Sequence, residues 1–344
     1  MATAKRQQRN NLARAARLRP QVKVKTAQKA LRTEPTLKPK PLKPAALRAV
    51  RKRVPNTARA TVVFEPERGT GAKLPLLVML HGCQQRASDF ALGTRMAELA
   101  KEFGCVVIFP EQSVASHSLR CWKWYQKQNR RSAHSDASVI AEITRAAIER
   151  YQIDSSRVYI AGMSAGGAMA GVLAQDFPTL FTAIGVHSGV APGLAYDVFS
   201  AMRLMSRGPI GVRAVQKLAI LHAVPKIVFH GDADSTVHLS NGQAIFLAPS
   251  AKPTLGVNQQ LVAVAPTING RHGFTVSVNR APCGASLSEL WVIHDAGHAW
   301  SGGLENASHT DSRGPDASRE MLRFFLQHPI SPSSQAIARQ MSTS

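Results

Sequence analysis

The sequence predicts an α/β fold: a mostly parallel sheet covered by helices on both faces. Two observations carry this expectation. From about residue 56 onward, short β-rich runs alternate with segments whose apolar residues recur at helical spacing, and such alternation is the pattern of strands joined by helical crossovers. The longest apolar runs, such as "LPLLVML", are only strand-length, well short of the roughly 18 residues that span a bilayer.

Taken in order, "ATVVFEP" and "LPLLVML" read as the first strands and "CVVIFPE" as another that ends at a proline. "SDASVIAEITRAAIERYQ" has helical apolar spacing, with Ser135 or Asp136 able to cap its start. "SRVYIAG" is a strand, "SAGGAMAGVLAQDFP" a helix stopped at Pro178, and "FTAIGVHSG" a strand again. Then come the strand of "KIVFHGDAD", a helix near residues 238–247, the strand of "SLSELWVIHDAGH" and a final helix in "GPDASREMLRFFLQHP". Residues 191–222 are less regular and read as an insertion over the site. Residues 248–288 contain "NGRHGFTVSVNRAP", which reads as a hairpin or edge strands. No internal repeat is visible. The expected organisation is a basic, largely disordered tail over 1–55, one catalytic domain over 56–330 and a flexible C-terminal stretch over 331–344.

The net charge of +22 resembles a nucleic-acid signature until it is located. Residues 1–53 hold 17 Lys and Arg against the single acid Glu34, so +16 lies there and +6 is spread over the other 291 residues. The basicity therefore describes the tail. That tail mixes Ala/Arg segments with an extended "KPKPLKP" stretch and can hold the chain on a polyanion: nucleic acid, an anionic lipid face or a polymer granule. One function class consistent with this is a basic binding protein with an incidental hydrolase domain; its affinity would fall steeply as salt rises. No apolar stretch of secretory-signal kind follows the basic start. Cys83, Cys105, Cys121 and Cys283 are too few for a disulfide scaffold and form no CxxC pair, which argues against structural zinc. Cys83 and Cys121 flank two of the motifs below, and their spacing leaves the pairing open.

Gly162-Met163-Ser164-Ala165-Gly166 fits GxSxG and stands between the strand "RVYIA" and the next helix. A nucleophilic serine there must occupy a sharp strand-to-helix turn, where flanking side chains would clash. The hydroxyl needs a base, and the base an orienting acid, in the chain order Ser, Asp or Glu, His. "FHGDADSTV" and "HDAGHAW" supply that order. Asp234 is preferred to Asp232, which directly after Gly231 can serve as a turn residue; spacing alone leaves the choice open. His298, in a loop past the strand "LWVIHD", is preferred to His294, which is still within it. His81, His187 and His230 each end an apolar strand and read as structural. The oxyanion of a tetrahedral intermediate needs donors: the backbone N–H of Ala165, and that of Cys83 in the loop "VMLHGCQQ". Trp122, Trp124 and Tyr125 form an aromatic cluster, and Trp300 lies two residues past His298. Trp122 and Trp300 are candidates to stack on substrate, with burial in the core as the competing reading.

Together "LHGCQQ", "CWKWY", "GMSAGGAMA", "HGDADSTV", "GHAWSGG" and "GPDASREMLRFFLQH" resemble the poly(3-hydroxybutyrate) depolymerase family of esterases, within the α/β-hydrolase fold. The resemblance covers about residues 60–328 and leaves out the tail. It implies Ser164 as nucleophile, Asp234 as acid, His298 as base, and the Cys83 and Ala165 amides as oxyanion donors. It implies hydrolysis of poly(3-hydroxybutyrate) or hydroxyalkanoate oligomers, or of feruloyl or acetyl esters of polysaccharide by the same triad, with a polyester or small ester as partner and no metal or organic cofactor. It also implies an extracellular protein; a cytoplasmic or granule-associated one is the alternative that the visible start favours. The segment after "CWKWY", "QKQNRRSAHSDAS", departs from the family's usual Gly-Glu pair and is more basic, which bears on the substrate rim rather than on the triad.

Overall fold

The computed structural model of the chain describes residues 59–67, 71, 73–126, 132–209, 224–248 and 258–330. The tail over 1–55, the stretch 331–344, and residues 210–222 of the expected insertion lie outside them.

Strands β1 (Thr61–Phe64), β2 (Leu76–Leu80), β3 (Val106–Pro110), β4 (Val158–Met163), β5 (Ala183–His187), β6 (Lys226–Gly231), β7 (Asn258–Ala265), β8 (Phe274–Arg280) and β9 (Ser286–Ile293) form one sheet in the order β1-β3-β2-β4-β5-β6-β9-β8-β7. The central strands from β3 to β9 are parallel, in register from Leu76↔Val158 through Met163↔His187 to Gly231↔Ile293. β1 runs antiparallel at one edge, and β8 and β7 at the other. "NGRHGFTVSVNRAP" thus contributes an antiparallel strand, β8, whose partner β7 the sequence did not reveal. The order reverses between β2 and β4, so the loops after these strands diverge and leave a crevice at their carboxyl ends.

Seven helices are described: α1 (Ala87–Thr94), α2 (Met96–Phe103), α3 (Asp136–Arg150), α4 (Ala165–Asp176), α5 (Val198–Arg207), α6 (Ser240–Leu247) and α7 (Ala317–Leu326). Alternate strand residues face opposite ways. Leu76, Val78, Ile160, Val186 and Val228 therefore join α3, α4, α5 and α6 in one core. Leu77, Met79, Tyr159, Ala161 and Phe229 join α1, α2 and α7 in the other. Every residue of β2 to β6 is buried, which explains strands that read as continuous apolar runs.

At the start of α3 the side chain of Ser135 accepts the Ser138 amide, making it the cap. Asp136 is instead a buried hub, paired with Arg59 and accepting from Gln112 Nε2 (2.7 Å) and the Lys123 amide (2.8 Å). The described part of that stretch, residues 191–209, is more regular than expected: Asp197 and Ser200 form a capping box that starts α5.

Lys226 begins β6 yet is buried, its ammonium donating to the Ala248 carbonyl at 2.7 Å. Desolvation by burial pulls its pKa from 10.5 down to about 7. Below both values the amine is charged in folded and unfolded chains and the burial cost is complete; between them the unfolded chain binds the extra proton, so stability should rise with pH from about 7 to about 10.5. Lys226→Met should lose this rise. Urea midpoints of both proteins at about pH 7 and about pH 10 check it, and parallel pH profiles would contradict it.

Candidate active site

The turn between β4 and α4 is tight. Ser164 sits at φ 55°, ψ −120°, a backbone conformation that costs about 1–3 kcal/mol and survives only where neighbours enforce it. The neighbours are visible: the Ser164 amide donates to the His187 carbonyl (2.9 Å), and the Ser164 carbonyl accepts the Ala168 amide (2.9 Å). Gly162 and Gly166 permit the turn because a Cβ on Gly162 would lie 2.5 Å from the Gly166 carbonyl carbon, and one on Gly166 only 2.1 Å from the Leu80 carbonyl oxygen. The small residues of "AGMSAGG" thus let α4 start against the end of β2.

The loop after β2 lies over this turn: a Cβ on Gly82 would be 3.6 Å from Ser164 Cβ. Its shape is fixed from several sides. The Gly82 amide donates to Gln85 Oε1 (2.9 Å), Gln85 Nε2 donates to the Ser308 carbonyl (2.9 Å), and the Gln84 amide donates to the Leu119 carbonyl (2.7 Å). Cys83 and Cys121 form a disulfide, which resolves the pairing that spacing left open. The amides of Cys83 and Ala165 make no hydrogen bond among the described residues. The Ala165 amide opens α4, where no helix carbonyl can reach it.

The candidate acid and base follow β6 and β9. Asp234 follows β6, with its carboxylate buried. Oδ1 accepts the amides of Thr236 (2.9 Å) and Val237 (2.8 Å), and Oδ2 lies 2.7 Å from His298 Nδ1. Burial alone would raise the Asp234 pKa, but the bonds from His298 and the Val237 amide outweigh it and hold the carboxyl below its usual range. This arrangement puts the His298 proton on Nδ1 and leaves Nε2 as the basic nitrogen. No hydrogen bond joins Nε2 to the Ser164 hydroxyl in the resting geometry; such bonds commonly tighten when substrate arrives. His187 ties the two loops together: its carbonyl accepts the Ser164 amide and its Nε2 accepts the amide of Ser301, three residues past His298.

The two less favoured candidates, Asp232 and His294, pair with each other. His294 Nδ1 lies 3.0 Å from Asp232 Oδ2, Asp232 Oδ1 accepts the Asp295 amide (2.7 Å), and His294 Nε2 meets Thr275 Oγ1 at 2.8 Å. They form a clip that fastens the end of β9 to β6 and β8.

The strand-end histidines are buried. His81 Nδ1 donates to the Gly82 carbonyl (2.8 Å) and its Nε2 accepts the Gln112 amide (3.0 Å); burial pushes its pKa down to about 4. His187 Nε2 accepts the Ser301 amide (3.0 Å), and burial pushes its pKa to about 3. His230 Nε2 donates to the Val237 carbonyl (2.7 Å) and lies 3.6 Å from Asp234 Oδ2. All three fasten the backbone around the site.

Trp122 and Trp300 require a correction. Their side chains are 0% and 1% exposed, so neither stacks on substrate in this structure. Each indole N–H finds a buried acceptor, as such groups must: Trp122 Nε1 donates to the His81 carbonyl (2.9 Å) and Trp300 Nε1 to Ser318 Oγ (3.0 Å). Trp122 supports the Cys83 loop from beneath, and Trp300 stacks on His187 with ring centroids 5.0 Å apart. The sequence reading also missed Gln85 and the Asp136 hub with Arg59 and Gln112, because their partners lie far along the chain.

Reducing the Cys83–Cys121 disulfide should loosen the loop that presents the Cys83 amide. Complete loss of one oxyanion donor costs about 2.7–4 kcal/mol, so partial misplacement should lower kcat by about tenfold and leave KM within about threefold. Steady-state kinetics before and after thiol treatment, repeated with Cys121→Ser, check this; unchanged kcat in both would show that the bridge does not govern the loop.

A family model described as "Esterase PHB depolymerase" matches residues 60–248. The chain is 26% identical over 248 residues to poly(3-hydroxyalkanoate) depolymerase C of Paucimonas lemoignei, covering 67% of this chain and 56% of that protein. It is 26% identical over 180 residues to a probable acetylxylan esterase A of Neosartorya fischeri (48% of each) and 34% identical over 120 residues to feruloyl esterase B of Neurospora crassa (35% and 40%). The chain thus spans about half the length of the curated relatives it matches. An acetyl xylan esterase from Aspergillus awamori has the same fold, with a TM-score of 0.57 at 19% identity, over 79% of this chain and 95% of that one.

Proposed function

The chain belongs to the Esterase PHB depolymerase family, and on that premise we propose that residues 56–330 form a serine esterase whose substrate is poly(3-hydroxybutyrate) or its hydroxyalkanoate oligomers. The observation that carries this reading is the hydrogen-bonded Asp234–His298 pair, which follows β6 and β9 at the same carboxyl edge of the parallel sheet where the strained Ser164 turn follows β4. Ser164 Oγ attacks the ester carbonyl while His298 Nε2 takes its proton. Asp234, kept ionised, stabilises the imidazolium. The carbonyl oxygen gains charge beside the amides of Cys83 and Ala165, which stabilise it in the transition state. Collapse expels the alcohol, which receives the proton from His298. Water, deprotonated by His298, then attacks the acyl-enzyme and releases the hydroxy acid. None of these steps draws on a metal or organic cofactor.

A second reading keeps the triad and changes the ester to a feruloyl or acetyl group on polysaccharide; the likeness to the fungal acetylxylan and feruloyl esterases favours it. No described helix is long and apolar enough to cross a membrane.

Two measurements test the proposal. An aryl fluorophosphonate should label one residue, found by mass spectrometry to be Ser164; labelling elsewhere, or none, would overturn the mechanism. Rates on hydroxybutyrate oligomers, feruloyl esters and acetylated xylan rank the acyl groups, and a preference for either of the latter two would favour the second reading.

A further inference from the structure

Past His298 the chain forms a second, small sheet: β10 (Trp300–Ser301) runs parallel to β11 (Thr310–Asp311) with Trp300 opposite Thr310. His298 and His309 closely precede this pair of strands, so both stand at its N-terminal end. The Trp300 amide donates to the His309 carbonyl at 2.7 Å. The preceding residue, Ser308, accepts the Gln85 amide that also organises the Cys83 loop. His309 therefore sits between the proposed base and the proposed oxyanion loop.

Its backbone is held in a conformation that most side chains avoid, φ 55°, and outliers of this kind gather at functional sites. The imidazole is solvent-accessible. Nδ1 lies 2.7 Å from Ser308 Oγ, whereas Nε2 makes no hydrogen bond to any described residue. Partial burial, followed by the influence of nearby His298, lowers the pKa of His309.

We propose that His309 contacts the alcohol half of the ester and selects alcohols that carry a β-carbonyl oxygen. This rests on the esterase reading above, because the leaving alcohol must lie against the group that protonates it, His298 Nε2, and the Trp300–His309 hydrogen bond brings His309 to the end of the small sheet from which the His298 loop enters. With the Ser308 hydroxyl donating to Nδ1, Nε2 carries the ring proton and donates it to the substrate. In a hydroxyalkanoate chain the leaving unit is itself a 3-hydroxyacyl ester, so its own carbonyl oxygen offers the acceptor. A simple alcohol has none.

The test holds the acyl group constant and changes only the alcohol. Acetate release is measured from methyl 3-acetoxybutyrate and from sec-butyl acetate, and the ratio of their kcat/KM values is compared between proteins. The wild-type protein should prefer the first. His309→Gly removes the imidazole without opposing the positive φ and should lower the ratio by about five- to tenfold, the value of one hydrogen bond between neutral groups. His309→Gln, which keeps a side-chain donor, should retain part of the preference. A ratio unchanged in His309→Gly, or a wild-type protein indifferent to the β-carbonyl, would overturn the proposal. Equal losses on both esters would also overturn it, by making His309 a scaffold residue. Failure of the esterase reading looks different: no acetate release from either ester by the wild-type protein and no fluorophosphonate label on Ser164.

Discussion

Ser164→Ala should fold normally and lose about 10⁴- to 10⁶-fold in kcat/KM toward short nitrophenyl esters, the loss seen when a triad nucleophile is removed. The expected pattern is as informative as its size. His298→Ala should cost a similar amount, and Ser164→Ala/His298→Ala little more than either, because a base without its nucleophile has no proton to take. Asp234→Asn should cost about 10⁴-fold, since an amide can donate to Nδ1 and so place the imidazole proton on the nitrogen that ought to accept. Asp232→Asn should leave turnover within about threefold, because its partner His294 is occupied by Thr275 and serves the β9 clip. Single-turnover kinetics on all five proteins decide between the two acid–histidine pairs. A large loss in Asp232→Asn with Asp234→Asn and His298→Ala near wild type would reverse the assignment.

Gly166→Ala should fail at the level of folding. The added methyl would lie 2.1 Å from the Leu80 carbonyl oxygen and 2.6 Å from that of His81. Both obstacles are backbone atoms of the central strand and its loop, so no rotamer change relieves them. Separating α4 from β2 would open the core that both share, at a cost above about 4 kcal/mol. Gly297→Ala is the matched control, because nothing lies within 4 Å of its Cβ. Soluble yield and urea midpoints should separate the two variants, and a Gly166→Ala protein with the wild-type midpoint would show that the helix can retreat without loss.

The parallel strands were legible because burial on both faces selects uninterrupted apolar runs, and "LLVML" or "VVIFP" answers to little else. Ser164, Asp234 and His298 were proposed from a chain order attached to strand ends; spacing left Asp232 or Asp234 open, the family resemblance chose Asp234, and in the structure each acid pairs with its own histidine. α1 and α2 were not legible. Each is eight residues long, and Arg95 in the left-handed conformation joins them where a glycine would have marked the break. The tryptophans were misread because proximity in sequence to a motif says nothing about which side of the backbone a side chain takes. Trp122 and Trp300 turned inward, where a carbonyl and a hydroxyl satisfy their N–H groups. Gln85 could not have been found, since its value lies in a bond to a residue 223 positions away.

That bond has a bearing on the order in which the molecule comes into being. The Ser164 turn with the Cys83 and Ala165 amides is encoded before residue 166 and the proposed acid at 234, but the proposed base and the carbonyl that anchors Gln85 are encoded only at 298 and 308. Contacts between such distant positions form late, because the loop they close carries a large entropic cost until the intervening strands are paired. On the proposed assignment, a chain emerging from the ribosome would thus have β2, β3, β4 and the Ser164 turn long before it had His298. Hydrolytic competence would arrive with β10 and β11, after nearly the whole domain had been synthesised.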